Sequence, residues 1–243
     1  MKKKKSNENL WLYGHHAVVE ALKNPNRDKI LLKMTKDAHI DPALTKGIPV
    51  QVVPKDQLDS LLGAGAVHQG LALQVLPLEN FHLDEIIAKA NTQDRAVILL
   101  LDQVTDPHNI GAILRSAAAF DALAVVLPDA GAPQESMTLA KSACGALETV
   151  PLIRVANLTR AMQQLKDAGF WCIGLDGYAH EVMGAKKLPS KTAFILGSEG
   201  DGMRRLTAEN CDYTIKLPMS DKMESLNVSN ATAIALYEFY KQG

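Results

Sequence analysis

The residues of this sequence that could do chemistry lie in three polar segments of its second half. The first segment, 102–115, contains Asn109 and a lone cation, Arg115, in an otherwise apolar helical stretch. A guanidinium in such a place suits a phosphate or a carboxylate. The local sequence alone favours a plainer interpretation, in which Asp106 or Asn109 caps a helix and Arg115 faces solvent. Their separation along the chain also leaves Asn109 and Arg115 free to face different ways.

The second segment is a glycine-rich turn, residues 197–202, that follows another apolar run. Glycines let a backbone approach a ligand closely, but the spacing GxxGxG matches neither a dinucleotide-binding turn nor a phosphate-binding P-loop. Glu199 is the unusual residue of this turn. It would lie near the start of a helix, where the helix dipole stabilises an anion. A tight turn with a capping glutamate explains the segment equally well.

The third segment spans residues 215–230. A predicted strand ends in it at Leu217, before Pro218, and a polar loop then leads to the last predicted helix. Ser225 and Asn227 stand where a helix cap is expected, but with Ser229 and Asn230 the stretch is more polar than a cap requires. Elsewhere the sequence has no HExxH motif, no convincing Ser-His-Asp order and no metal-ligand spacing, so we predict no metal site.

Each polar segment follows a short apolar run, and from residue 95 onward such runs alternate with helical stretches. This alternation predicts an α/β fold with a parallel sheet and helices on both faces. Ligands bind such sheets outside the carboxyl ends of the strands. The predicted strands span residues 96–101, 123–127, 152–155, 170–175, 193–196 and 213–217. The predicted helices span residues 109–120, 138–143, 157–168, 203–210 and 228–240.

The first third of the chain has a different pattern, which predicts a small α/β domain over residues 1–76. Residues 77–94 are expected to form a linker with a short helix at 83–90, and residues 95–243 to form the second domain. The predicted strands of the first domain are 30–34, 50–53 and 71–76. Its predicted helices are 14–23 and 57–62.

Composition narrows the class of protein. Of the 243 residues, 47% are hydrophobic and 22% charged, which excludes a disordered chain and a collagen-like repeat. No apolar run approaches the roughly 20 residues of a membrane helix, and no apolar core of a secretory signal follows Lys2–Lys5. The three cysteines are scattered, which favours a reducing, cytoplasmic setting and buried structural thiols.

Charge is distributed unevenly along the chain. The net charge is −1, yet residues 1–36 hold nine basic and three acidic residues, four of the basic ones in the Lys2–Lys5 run. Such a basic arm suits nucleic acid, and it suits solubility equally well.

Read together, the three polar segments resemble a known family. DPHNIGAILRSA, FILGSEGDGM and IKLPMSDKMESLNVSNATAIALYE resemble, in this order, the three motifs of the SpoU (TrmH-type) RNA ribose 2′-O-methyltransferases. YGHHAVVEAL and AVHQGLAL resemble the RNA-binding domain that precedes the catalytic domain in this family. The resemblance covers nearly the whole chain, and within the family it is strongest to the bacterial enzymes that methylate a guanosine of 23S ribosomal RNA.

The resemblance implies a SPOUT-type parallel sheet with a C-terminal trefoil knot, an exception to the rule against knots. It also implies a homodimer with its sites at the subunit interface and S-adenosyl-L-methionine as methyl donor. The positions that match the family's catalytic site are Asn109, Arg115, Glu199, Ser225 and Asn227. The positions that match its cofactor contacts are Gly197, Leu217 and Leu226.

The expected reaction is methylation of a ribose 2′-OH in 23S ribosomal RNA or a large-subunit assembly intermediate. We expect Arg115 to contact the target nucleotide, and Glu199 to fix either Arg115 or the cofactor loop. Two alternatives stay open: a transfer RNA 2′-O-methyltransferase, and a catalytically silent RNA-binding protein on the same scaffold.

Overall fold

Two β-sheets organise the chain in the computed structural model, which describes residues 9–63, 65–220 and 222–243. The basic run Lys2–Lys5 lies outside these ranges. The elements of the first sheet and its helices are β1 (Leu10–Tyr13), α1 (His15–Lys23), β2 (Lys29–Met34), β3 (Val50–Val52), α2 (Lys55–Leu62) and β4 (Leu71–Val75). A single 3-10 turn, Pro42–Thr45, precedes β3, and helix α3 (Leu83–Ala90) follows the sheet.

The first sheet has the strand order β1-β4-β2-β3, and only the β2–β3 pair is parallel. Strand β1 was not predicted, because its four consecutive apolar residues show no alternation and carry no turn signal. It forms through pairing with β4, which lies about 60 residues further along the chain. The helix predicted to begin at residue 57 begins at Lys55, directly after Pro54.

The second sheet has seven strands in the order β7-β6-β5-β10-β8-β11-β9, and every pair is parallel. Its strands are β5 (Ala96–Leu101), β6 (Ala124–Pro128), β7 (Leu152–Val155), β8 (Trp171–Leu175), β9 (Glu181–Val182), β10 (Lys191–Leu196) and β11 (Tyr213–Lys216). The predicted parallel sheet is confirmed, with the short edge strand β9 added. Because β9 has two exposed residues and no apolar run, its pattern gave no signal.

Helices cover both faces of this sheet, as predicted. They are α4 (Pro107–Ala119), α5 (Met137–Ala143), α6 (Leu158–Asp167), α7 (Arg205–Glu209) and α8 (Val228–Tyr240). Alternate residues of β5 point to opposite faces. Leu99 lies in one hydrophobic cluster with α4, α5 and α8, and Ile98 lies in the other with α3 and α6. Among the described residues, no helix is long and apolar enough to cross a membrane.

The first sheet shares its core with the second. Leu12 and Leu73 of the first sheet belong to the same buried cluster as Leu139 and Leu147 of the second half. Packing across this boundary is therefore continuous rather than a thin contact between separate bodies.

A buried ionic group fastens the same boundary. The Arg27 side chain is fully buried, and its guanidinium reaches Glu148 at 2.5 Å and Glu135 at 2.6 Å. It also donates to the backbone oxygen of Leu76 at 2.9 Å. Burial alone would lower the pKa of Arg27, but the hydrogen bond to Glu148 and the charges of both glutamates outweigh burial and raise it. The arginine therefore stays charged and holds the loop after α1 against the second half of the chain.

Candidate active site at the carboxyl edge of the sheet

The strand order brings the three polar segments to one edge of the parallel sheet. Strands β5 and β10 are neighbours, and β8 separates β10 from β11. Because the strands are parallel, the segments that follow Leu101, Leu196 and Lys216 all leave at the carboxyl edge. Sequence positions about 100 residues apart are thereby placed side by side.

Helix α4 begins without using Asn109 as its cap. The Asp106 carboxylate accepts the backbone N–H of His108 at 2.9 Å, and Pro107 occupies the first helical turn. Of the two residues that the sequence offered as the cap of this helix, Asp106 is therefore the one that caps it. The Asn109 amide is left to reach across to Glu199, where its Nδ2 donates to Oε1 at 3.1 Å.

Asn227 joins this pair from the start of α8. Its Oδ1 caps the helix by accepting from the backbone N–H of Ser229 at 3.0 Å. Its Nδ2 donates to Oδ1 of Asn109 at 3.0 Å and to Oε1 of Glu199 at 2.5 Å. A single side chain therefore serves both as the helix cap and as a member of the cluster. We call Asn109, Glu199 and Asn227 the amide–carboxylate cluster.

The carboxylate of Glu199 is the centre of the cluster. One of its oxygens, Oε1, accepts from both amides and lies 3.4 Å from the backbone N–H of Val228. The start of α8 also presents the positive end of a helix dipole to this oxygen. These donors fix the position of Glu199 and leave its second oxygen, Oε2, available to a ligand.

Arg115 and Ser225 are not part of the cluster. Arg115 is exposed on α4, and neither side chain forms a hydrogen bond or ion pair with the rest of the described chain. The expected contact between Glu199 and Arg115 is absent. Arg115 follows Asn109, which does bind Glu199, by six residues on α4. This spacing turns the two side chains well apart and separates them by about 9 Å along the helix axis. Within one chain, Glu199 is held by amides instead.

The glycine turn after β10 folds back on itself. Ser198 and Gly202 exchange two backbone hydrogen bonds, of 3.0 and 3.1 Å. A Cβ atom added to Gly197 would lie 2.0 Å from the carbonyl carbon of Gly202 and 2.3 Å from the nitrogen of Met203. Only glycine fits at position 197, because these neighbours are backbone atoms that the turn itself fixes.

A buried carboxylate that was not predicted fastens the far end of this turn. Asp102, at the end of β5, is fully buried and accepts from the backbone N–H of Arg204 at 2.8 Å and from its Nε at 2.7 Å. A second guanidinium nitrogen lies 2.6 Å from the same carboxylate. The sequence did carry a signal for this residue, namely an acidic side chain directly after six apolar ones. Such a position predicts a buried carboxylate, and a buried carboxylate requires a partner.

The leucines expected to contact a cofactor flank the loop between β11 and α8. Leu217 is half-buried and packs against the main hydrophobic cluster. Leu226 is half-buried next to Asn227. Each therefore keeps part of its apolar surface available at the edge where the cluster lies.

Two of the three cysteines, Cys172 and Cys211, are expected to be chemically inert. Burial raises the pKa of both Cys172 and Cys211 to about 12. At pH 8 only about one thiol in 10⁴ is then a thiolate, the reactive form. We expect neither residue to be alkylated by iodoacetamide in the folded protein over an hour at pH 8, as measured by peptide mass spectrometry. Labelling in 8 M urea is the control, and rapid labelling of folded Cys172 would contradict the expectation.

Family models match both halves of the chain. The model described as the SpoU rRNA methylase family matches residues 96–237. The model described as RNA 2′-O ribose methyltransferase substrate binding matches residues 11–81. The chain belongs to the SpoU rRNA methylase family. Within this SpoU protein, the amide–carboxylate cluster and the glycine turn both lie in the methylase region.

Curated relatives cover the SpoU chain nearly end to end. It is 41% identical over 238 residues to the 23S rRNA (guanosine-2′-O-)-methyltransferase RlmB of Salmonella typhi, covering 95% of this chain and 98% of that protein. It is 43% identical over 245 residues to the RlmB of Vibrio vulnificus, covering 96% and 97%.

Solved structures share the fold of this SpoU protein. The SpoU methyltransferase AviRb from Streptomyces viridochromogenes, solved in complex with AdoMet, is 22% identical with a TM-score of 0.81 and covers 96% of this chain and 90% of its own. At this identity the likeness supports the two-sheet α/β fold alone.

Proposed function

We propose that this protein transfers a methyl group from S-adenosyl-L-methionine to the ribose 2′-OH of a guanosine in 23S ribosomal RNA, in the cytoplasm. The names of relatives that match it over nearly their whole length support this substrate. The observation that carries the proposal is the amide–carboxylate cluster, in which Asn109, Glu199 and Asn227 meet from three distant segments.

The residues at the carboxyl edge fit the proposed cofactor. Gly197 and the turn it begins offer backbone groups with no side chain in the way, and Leu217 and Leu226 offer half-buried apolar surface to the adenine. The carboxylate of Glu199 suits a neighbouring positive charge. When bound, S-adenosyl-L-methionine supplies an electrophilic methyl on a positively charged sulfur, so the chemistry requires no metal.

The chain's own residues then have to prepare the 2′-OH. A hydroxyl is a poor nucleophile until it is positioned and its proton is shared. Asn109 and Asn227 are preorganised by their bonds to Glu199, and we assign them to orienting the ribose. Ser225, exposed at the approach to α8, and Arg115 are assigned to the RNA itself. An arginine is a poor base, so Arg115 contacts the phosphate or the 2′-oxygen rather than removing the proton.

A homodimer would bring Arg115 to a site. Arg115 forms no bond with the cluster of its own chain and lies on a helix that packs against α8. The outer face of α8 exposes Ile234, Tyr237 and Tyr240 to 43%, 55% and 54%, and Phe120 at the end of α4 contacts both tyrosines. We propose that a second copy covers this apolar face and that Arg115 serves the cluster of the partner.

The C-terminal segment is proposed to form a trefoil knot by passing through the 176–190 loop. One hydrogen bond and one shared buried cluster support this. Leu188 donates its backbone N–H to the Gln242 side chain at 2.8 Å, and Met183 shares a buried cluster with Leu236 and Phe239. The division into an RNA-binding domain over 1–76, a linker over 77–94 and a catalytic domain over 95–243 stays part of the proposal.

Replacing Gly197 by alanine tests the cofactor assignment. The added methyl group would collide with the backbone of Gly202 and Met203, so the turn must open and Glu199 must move. We expect the single-turnover methyl-transfer rate to fall by roughly a hundred-fold, with weaker S-adenosyl-L-methionine binding in calorimetry. Gly177→Ala is the matched control, because its Cβ would meet only the oxygen of Glu224 at an ordinary 3.6 Å. Normal cofactor binding by Gly197→Ala would contradict the assignment.

The function itself is tested by mapping 2′-O-methyl groups in ribosomal RNA from cells that lack the gene. We expect one methylguanosine of 23S RNA to disappear and to return with the wild-type gene but not with Asn227→Ala. A methyl group lost from transfer RNA instead would favour the alternative enzyme. No change in either RNA would favour the silent RNA-binding protein.

A further inference from the structure

One face of the first sheet carries a group of aromatic and basic side chains. Tyr13 of β1 and Lys33 of β2 both lie opposite Ala72 of β4, so they occupy one row across the sheet. Trp11 precedes Tyr13 by two residues and therefore lies on the same face. The ammonium of Lys33 lies 5.6 Å from the centre of the Trp11 ring. Trp11 and Tyr13 pack in part against the cluster that α2 forms with Ala72. They and Lys33 are half-buried, so each still presents part of its surface to solvent.

This group continues without a break into the second half of the chain. Nζ of Lys141, on α5, lies 5.4 Å from the centre of the Tyr13 ring and donates to the backbone oxygen of Val67 at 2.9 Å. The next residue, Ser142, has its hydroxyl 3.1 Å from Nδ1 of the exposed His108. His108 directly precedes Asn109, so direct contacts and chain neighbours join the sheet face to the amide–carboxylate cluster. We call Trp11, Tyr13, Lys33, Lys141 and His108 the aromatic–basic surface.

The chemistry of the aromatic–basic surface suits one kind of partner. The two lysines contact aromatic rings and a backbone oxygen rather than carboxylates, so their charge is available to phosphates. Aromatic side chains beside such charges bind unstacked bases, whatever the base. A double helix keeps its bases stacked inside and cannot offer them to Trp11 or Tyr13.

We propose that the aromatic–basic surface binds an unpaired RNA segment next to the target nucleotide, with bases against Trp11 and Tyr13 and phosphates at Lys33 and Lys141. The proposal rests on the proposed function and deepens it, because it states which form of RNA the protein selects. The position of the aromatic–basic surface predicts the path of the RNA, from the first sheet along α5 to Asn109.

Tryptophan fluorescence gives a direct test. The chain has two tryptophans, and Trp171 lies at the amino end of β8, on the opposite edge of the sheet from the cluster. Trp171→Phe therefore leaves Trp11 as the single reporter. We expect a single-stranded RNA of about ten nucleotides to quench Trp11 by stacking, and a blunt duplex of the same sequence to leave it unchanged.

Variants of the surface give a second, independent readout. Trp11→Leu is expected to raise the KM for RNA by between about five-fold and a hundred-fold, the range found for loss of one stacked base, whereas Trp11→Phe is expected to stay near wild type. Lys33→Ala is expected to raise KM and to lower the slope of log Kd against log salt by about one. The matched control is Lys23→Ala, on α1, which packs on the opposite face. Cofactor affinity and kcat at saturating RNA should not change.

The outcomes separate this proposal from the proposed function. Suppose that the Trp171→Phe variant methylates RNA, but single-stranded RNA does not quench Trp11, or duplex RNA quenches it equally. The proposed role of the aromatic–basic surface is then wrong, and the proposed methyltransferase activity stands. Equal effects of Lys23→Ala and Lys33→Ala would also overturn it. If the wild type methylates no RNA but single strands still quench Trp11, the proposed function fails and the surface stands.

Discussion

Replacing Arg115 by alanine is expected to lower the rate of methyl transfer by about 10²–10³-fold, the loss found when one hydrogen-bond donor is removed from a reacting centre. The side chain is exposed and forms no hydrogen bond or ion pair within the described chain, so stability should change by less than about 0.5 kcal/mol. Binding of S-adenosyl-L-methionine should stay within a few-fold, because Gly197, Leu217 and Leu226 are untouched. Single-turnover assays at saturating RNA measure the rate.

Arg160→Ala is the matched control for this prediction. Arg160 is also exposed, but it lies on α6, which covers the other face of the sheet. We expect it to react at the wild-type rate. A normal rate for Arg115→Ala would remove this residue from the site.

A mixture of two inactive variants tests whether Arg115 works across the dimer. In a dimer of Arg115→Ala with Asn227→Ala, one site combines an intact cluster with the intact Arg115 of the other subunit. With random pairing of equal amounts, about a quarter of the sites should be active. If each chain supplied its own Arg115, no mixed site would be intact and no activity would return.

Replacing Arg27 by methionine is expected to destabilise the protein by about 3–5 kcal/mol, because Glu148 and Glu135 are left without their buried counter-ion. For a chain of this size the melting temperature should fall on the order of 10 °C. Differential scanning calorimetry at constant pH measures the shift. The loss should be largest at the boundary between the two sheets, where hydrogen exchange of β1 and β4 would report it.

Neutralising the glutamates provides the decisive comparison. The triple variant Arg27→Met, Glu135→Gln, Glu148→Gln no longer buries an unpaired charge and should recover much of the lost stability. Arg205→Met breaks the exposed pair with Glu209 and should cost less than about 1 kcal/mol. A melting temperature of Arg27→Met equal to that of Arg205→Met would show that the buried group contributes nothing special.

The sequence predicted the parallel sheet and its helices well, because buried strands and amphipathic helices each have a recognisable local pattern of apolar residues. The last helix was predicted over 228–240, the range it has. Strand β1 was missed because the strand with which it pairs, β4, is distant in the chain. The same limit hid Asp102, whose partner Arg204 lies 102 residues away.

The candidate site shows this limit more sharply. Local sequence offered both Asp106 and Asn109 as caps of α4, and only the three-dimensional arrangement reveals that Asp106 caps while Asn109 turns to Glu199. Family resemblance placed Arg115 among the same group, but helical geometry separates it from Glu199 within one chain. Motif membership thus named candidate residues for the site, but it did not predict which of them are in contact within one chain.

The order of its residues along the chain also decides when the amide–carboxylate cluster can form during synthesis. A growing chain delivers Asn109 first and Glu199 about 90 residues later, and domains begin to fold in that order as they emerge. Asn227 arrives with α8, which also packs on α4. Until then Glu199 lacks two of its donors, Asn227 and Val228. A chain that ends before α8 therefore lacks the complete cluster, so we expect no RNA to be modified until α8 has been made.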